Sequence, residues 1–106
     1  IGYPAQLEDW QKTGANYAMN VPAVDATKPA GEWNSTRITV NQGHVEHWLN
    51  GKKIVAYQLW DENWQRNKAN GKWKDMDSYG SVKSGHIALQ DHGGEAWFRA
   101  IKIRRI

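Results

Sequence analysis

Residues 36–59 read TRITVNQGHVEHWLNGKKIVAYQL, and this stretch decides the fold. Ile38 and Val40 alternate with Arg37 and Thr39, the period of two expected of a strand with one apolar face. Asn41–Gly43 makes a turn and Val45–Leu49 returns. Asn50-Gly51 tolerates the positive φ angles of a two-residue type I′ turn, so it joins Val45–Leu49 to Lys53–Leu59 as a second hairpin.

Outward from this unit the pattern stays β-like. His86–Asp91 and Ala96–Ile103 read as two further strands linked by Gly93-Gly94, and Tyr3–Glu8 and Ala15–Met19 as strands near the start. In the last strand Trp97, Ile101 and Ile103 share one parity while Phe98 takes the other, which predicts a bulge near Arg99. Val21–Glu32, rich in Pro and Ala, and Asp61–Tyr79, polar with scattered Trp, read as long loops of the kind that form lids or binding surfaces. A short helix fits within Asp61–Ala69.

The chain has 106 residues, no cysteine and a formal net charge of +3, so it holds one small domain or part of one, with no disulfide framework and no thiolate metal site. No apolar run approaches the roughly 20 residues of a bilayer helix. The basic residues are spread along the chain, with Lys102, Arg104 and Arg105 as their densest cluster; no basic stripe or motif points to nucleic acid or to a membrane surface. The first residue is Ile1 rather than Met, which leads us to expect a processed or partial chain.

Three ordered motifs carry a resemblance: Pro29-Ala30-Gly31-Glu32-Trp33-Asn34, Val45-Glu46-His47-Trp48-Leu49-Asn50-Gly51, and Gly85-His86-Ile87-Ala88-Leu89-Gln90-Asp91-His92-Gly93, continued by Trp97-Phe98-Arg99 and Ile101-Lys102-Ile103. With them the sequence is similar to the 3-keto-disaccharide hydrolase domain family. Gly2, Gln6, Leu7 and Asp9, followed by Thr13-Gly14-Ala15 and Tyr17, look like the middle of the same domain. The family normally carries a comparable stretch before this point, and Pro4 stands where it often has Glu. The resemblance thus implies an all-β, antiparallel sandwich of the concanavalin A-like jelly-roll type. Residues 1–106 would be its C-terminal portion, with the N-terminal strands absent or supplied by another chain or fragment. Such a sandwich has two packed sheets and a concave outer face that receives sugars. By strand parity Ile87 and Leu89 would face the core and His86, Gln90 and His92 the outside; in Val45–Leu49 the core parity would take His47 and leave Glu46 and Trp48 outside.

The family resemblance also implies chemistry on glycosides oxidised to a ketone at sugar C3. The ketone acidifies the C2 hydrogen, so a base can remove it, a hydrogen-bond donor or a cation can hold the enolate, and the group at C1 can leave before water adds. Histidine suits the base, since its unperturbed pKa of about 6.5 leaves a neutral fraction near neutral pH. His92 is the first candidate; the structural alternative is a strand-end histidine bonded to Asp91 or to the Gly93-Gly94 turn. His47 is the second, because the family motif contains it, although a lone histidine at core parity also reads as a hydrogen-bonded structural residue. Trp48 could stack on a pyranose or simply pack. Gln90, Gln6 and Asn16 could orient hydroxyls. Among oxygen donors, Asp9, Asp91 and Glu8 would suit a divalent cation such as calcium or magnesium, while the four histidines show no close ligand spacing. Glu8 and Asp9 are adjacent and would point oppositely, which disfavours the paired-carboxylate route of ordinary glycosidases. Two alternatives share the fold: a noncatalytic carbohydrate-binding module, at which Pro4 hints, and a structural subunit of a larger assembly. The family's association with exported sugar-degrading proteins implies a periplasmic or extracellular setting.

Overall fold

The computed structural model describes residues 8–106. Its regular structure is one three-stranded antiparallel sheet in the order β1-β2-β3, with β1 at Thr36–Asn41, β2 at His44–Leu49 and β3 at Lys52–Gln58, followed by one helix, α1, at Glu62–Ala69. Asn50-Gly51 has the expected geometry, at φ 51° and 82°, and the turn after β1 shares it, with Gln42 and Gly43 at 50° and 79°. Positive φ at both central positions matches the right-handed twist of the flanking strands. Asn50 also works across the turn, its side-chain oxygen accepting from the Ser35 amide at 2.8 Å and its Nδ2 donating to the Ala26 carbonyl at 2.7 Å.

β2 pairs with both neighbours and carries the core. Val45 and Leu49 are buried, and Leu49 packs with Ile54 and Val55 of β3. His47 pairs with Val55 and Trp48 with Lys53, so Ile54 is an extra residue on β3. This bulge lets two consecutive side chains, Ile54 and Val55, both be buried, which strict alternation forbids. The segment before β1 lies against this core. Gly14 packs on Ile54 and Leu49, Ala26 touches the cluster, and the Ala23 amide donates to the Ile54 carbonyl at 2.8 Å. Gly14 has φ +85°, and a Cβ there would collide with Ile54 Cδ1. Gly14→Ala is therefore expected to destabilise the fold by about 1–3 kcal/mol, read as a lower denaturation midpoint at unchanged m-value.

On the same side of the sheet, Ile38 and Val40 of β1 remain exposed, at 65% for Ile38. The sheet has a covered half, under β2 and β3, and an open half along β1.

Three expectations are corrected. First, Ala15–Met19 is a tight loop instead of a strand: Asn16 and Asn20 form an isolated bridge, exchange backbone hydrogen bonds, and are locked by Asn16 Nδ2 donating to Asn20 Oδ1 at 2.9 Å. Side-chain amides that close on nearby backbone compete with ladder formation. Second, His86–Asp91 and Ala96–Ile103 are not strands; beyond Ser81 every residue is exposed, and neither segment pairs with a strand among the described residues. A strand exists only through its partner's hydrogen bonds, and nothing described here supplies them. Third, Ile87 and Leu89 are consequently 78% and 55% exposed rather than in the core, and no second sheet of a sandwich forms among the described residues. With no strand there, the bulge expected near Arg99 does not form; Ala100 has φ +54°. Within Asp61–Tyr79 the expected short helix does form, as α1. Asp61 caps α1, its carboxylate accepting from the Trp64 amide at 2.8 Å; Glu62 lies in the first turn, and Arg66 and Lys68 in the last. An eight-residue helix is not stable alone, so the burial of Trp64 anchors it. The expected strand Tyr3–Glu8 lies, apart from Glu8, outside the described residues.

Beside α1 the aromatic residues make a second small core. Tyr79 stacks between Trp73, at 4.9 Å and 6°, and Trp64, at 6.1 Å and 13°. Tyr17 meets both Trp73 and Trp10, and Trp73 Nε1 donates to the Tyr17 carbonyl at 3.2 Å. Burial raises the pKa of Tyr79 and, with the nearby Tyr79 adding to it, pushes Tyr57 up to about 12. A raised folded-state value means that the folded chain holds the phenol proton more tightly than the unfolded chain does. The resulting stability is complete below about pH 10 and lost as pH rises through the folded values. Unfolding free energy is expected to fall between about pH 10 and pH 12, and less steeply in Tyr57→Phe; equal slopes in the two proteins would refute the assignment.

Candidate functional site

One hollow is formed by the exposed segment after Ser81. It is open to solvent, has a volume of about 490 Å³ and is lined by Leu89, Gln90, Asp91, Glu95, Trp97 and Phe98, among others. That is within the range of small-ligand sites, which combine apolar or aromatic walls with a few polar groups. Gly93, with φ +84°, reverses the chain between Asp91 and Glu95 so that the two halves face each other. Gln90 and Asp91 are thereby brought together with two aromatic rings and a second carboxylate. His92 is exposed beside them but is not among the lining residues. Two cation–π contacts hold this segment to the body: Lys83 Nζ lies 5.2 Å from the Trp60 ring, and Arg99 Cζ 4.1 Å from the Trp33 ring. The second joins the Gly-Glu-Trp-Asn motif before β1 to the Trp-Phe-Arg motif near the end.

The other candidate residues lie elsewhere. His47, on the covered side of β2, is half-buried; its Nδ1–H donates to the Gly14 carbonyl at 2.8 Å, and its ring meets Tyr57 edge-on at 5.8 Å. Because a carbonyl can only accept, the Nδ1 proton is assigned, and Nε2 carries the lone pair when the ring is neutral. Trp48 is on the opposite side. Arg37 lies over its ring at 4.6 Å, so one stacking face is already occupied. Trp48 Nε1 donates to Glu46 at 2.9 Å, and His44 and Lys53 approach the same carboxylate at 3.3 and 3.7 Å. The indole hydrogen bond chiefly, opposed by partial desolvation and assisted by His44 and Lys53, holds Glu46 below the usual carboxylate range. Asn16 is committed to Asn20. Gln6 and Pro4 lie outside the described residues.

The three oxygen donors considered for a cation do not converge. Asp9 pairs with Lys12 at 2.8 Å, the Glu8 amide donates to the Gln11 side chain at 3.1 Å at the start of a 3-10 turn over Asp9–Gln11, and Asp91 lines the distant hollow. Among the described residues no group of three or more histidines or carboxylates could hold a metal ion. Sequence reading missed Glu95, Trp97 and Phe98 as lining residues. The signal was the Gly93-Gly94 pair, read as a strand link when it is the bend that folds residues 89–91 towards 95–98.

The model of the 3-keto-alpha-glucoside-1,2-lyase-like domain matches residues 1–104. The chain is 33% identical over 108 aligned residues to a 3-keto-disaccharide hydrolase of Bacteroides thetaiotaomicron, covering 92% of this chain and 37% of that protein. A crystal structure from Parabacteroides distasonis, described provisionally as a glycosyl hydrolase, superposes with a TM-score of 0.65 at 50% identity, covering 70% of this chain and 33% of the other. The chain thus spans about a third of the length of these relatives. With nearly every residue inside the matched range, the chain belongs to the 3-keto-alpha-glucoside-1,2-lyase-like domain family.

Proposed function

We propose that this chain is the C-terminal, sugar-contacting portion of a concanavalin A-like jelly-roll domain that cleaves glycosides oxidised at C3. The observation that carries this is the hollow in which Gln90 and Asp91 meet Glu95, Trp97 and Phe98. An aromatic wall suits the C–H face of a pyranose, and an amide with two carboxylates suits its hydroxyls. The names of the relatives support a carbohydrate substrate.

In this reading His92, at the rim, removes the C2 proton. The C2–H electron pair becomes the enolate of the C3 ketone, and Gln90, as an amide N–H donor, stabilises the oxygen. Re-formation of the ketone expels the C1 substituent, which takes a proton as it leaves, and water adding across the C1–C2 double bond completes hydrolysis. The exposed apolar side chains of β1 and of residues 87–103 support pairing with strands that belong to another segment or chain. An exported setting accords with such substrates.

One observation favours a second reading. The lining is amide, carboxylate and aromatic but excludes His92, a composition sufficient for a noncatalytic carbohydrate-binding module. Release of p-nitrophenol from a p-nitrophenyl 3-keto-glucoside by the purified native protein separates the two. Turnover is expected; tight binding of unoxidised glycans with no turnover of the ketone would leave the binding module standing.

A further inference from the structure

A separate hollow of about 110 Å³ lies between β3 and the start of α1, lined by Asn20, Gln58, Asp61, Asn63, Asn67 and Trp64, among others. Four of its eight lining residues are amides, each already held through one of its polar atoms. Asn20 Oδ1 accepts from Asn16 at 2.9 Å, and Asn63 Oδ1 accepts from Arg66 at 3.0 Å. Gln58 Nε2 donates to the Gln42 carbonyl at 3.1 Å, and Asn67 Nδ2 donates to the Met19 carbonyl at 3.1 Å. Asp61 Oδ1 accepts from the Trp64 amide at 2.8 Å. Among the described residues this leaves two amide donors, Asn20 Nδ2 and Asn63 Nδ2, three acceptors, Gln58 Oε1, Asn67 Oδ1 and Asp61 Oδ2, and the hydroxyl of Tyr57, which also lines the hollow, without a protein partner. None is a buried orphan, so all remain reachable by solvent or ligand.

We propose that this hollow is a second binding site, for a neutral polyhydroxylated ligand such as one pyranose ring end. A hydroxyl both donates and accepts, so a polyol can satisfy a mixed set that a bare cation or an anion cannot. A cation would meet two donor groups, and an anion would meet Asp61, the single ionised group in the lining. The side chains are held before any ligand arrives, so little ordering entropy opposes binding. The hollow's size admits a few hydroxyls and the carbons that bear them, and Trp64 gives it an apolar floor. This site deepens the carbohydrate-directed reading but needs neither the ketone chemistry nor His92.

The test is titration of the protein with methyl α-glucopyranoside while the side-chain amide and indole NMR resonances are followed. Shifts of the Asn63, Asn67 and Trp64 signals are expected. Asn63→Ala and Asp61→Asn, the latter keeping a good helix cap, should each weaken the fitted affinity by about two- to tenfold, the worth of one hydrogen bond. Gln90→Ala should leave these shifts intact. No shift at millimolar sugar, or shifts lost in Gln90→Ala and retained in Asn63→Ala, overturns the proposal. So does a response to calcium chloride or inorganic phosphate alone. The 3-keto-glucoside assay is unaffected by any of these outcomes, so the two readings fail separately.

Discussion

Leu49→Ala is expected to lower the unfolding free energy by about 2–5 kcal/mol, a large part of the roughly 5–15 kcal/mol available to a domain of this size. Leu49 is 1% exposed, ends the central strand, and sits under Gly14 against Ile54 and Val55. The loss combines the transfer free energy of the deleted atoms with the cavity left among side chains that the bulge and the Ala23 hydrogen bond keep from closing in. Ile38→Ala is the control: it removes a side chain of the same type from the same side of the same sheet, but from the open half. It should cost under about 1 kcal/mol. Equal losses in urea unfolding would mean that β1 is covered in solution after all.

His92→Ala should reduce the rate of aglycone release from a 3-keto-glucoside by about 10²–10⁴-fold, the usual contribution of a positioned general base. Sugar binding at the hollow should survive, because Gln90, Asp91, Trp97 and Phe98 are untouched. His47→Ala supplies the comparison. Its Nδ1–H anchors Gly14, so its loss should appear mainly as a lower melting temperature. If His47→Ala abolishes turnover in a folded protein while His92→Ala does not, the base is His47 and the role assigned to His92 is wrong.

The legible part of the fold was the local part. Asn50-Gly51 and the alternation on either side of it specify a hairpin without reference to anything distant, and β1, β2 and β3 follow within a residue or two. The bulge at Ile54 was hidden because its cause, a segment packed over two adjacent side chains, lies thirty residues upstream. Residues 86–103 carry strand-like sequence, but alternation states a preference between two faces and becomes burial only when a neighbouring strand and a facing layer exist. The same gap obscured the site. Gln90 was identified through its motif, whereas Glu95, Trp97 and Phe98 join it by a reversal at Gly93 that parity reasoning had treated as a connection between strands. Asn16, which its type would suit either to orient hydroxyls or to sit solvated on a strand, is committed to Asn20, and the amide that remains available is that of Asn20.

The sandwiching of Tyr79 between two indoles gives the protein a built-in optical reporter. Nearly parallel rings a few ångströms apart couple their electronic transitions, so near-ultraviolet circular dichroism will register departure of the 73–79 turn from α1 even while the hairpins keep their far-ultraviolet signal. Local opening and global melting can thus be followed in one sample by two wavelengths, without attaching a dye.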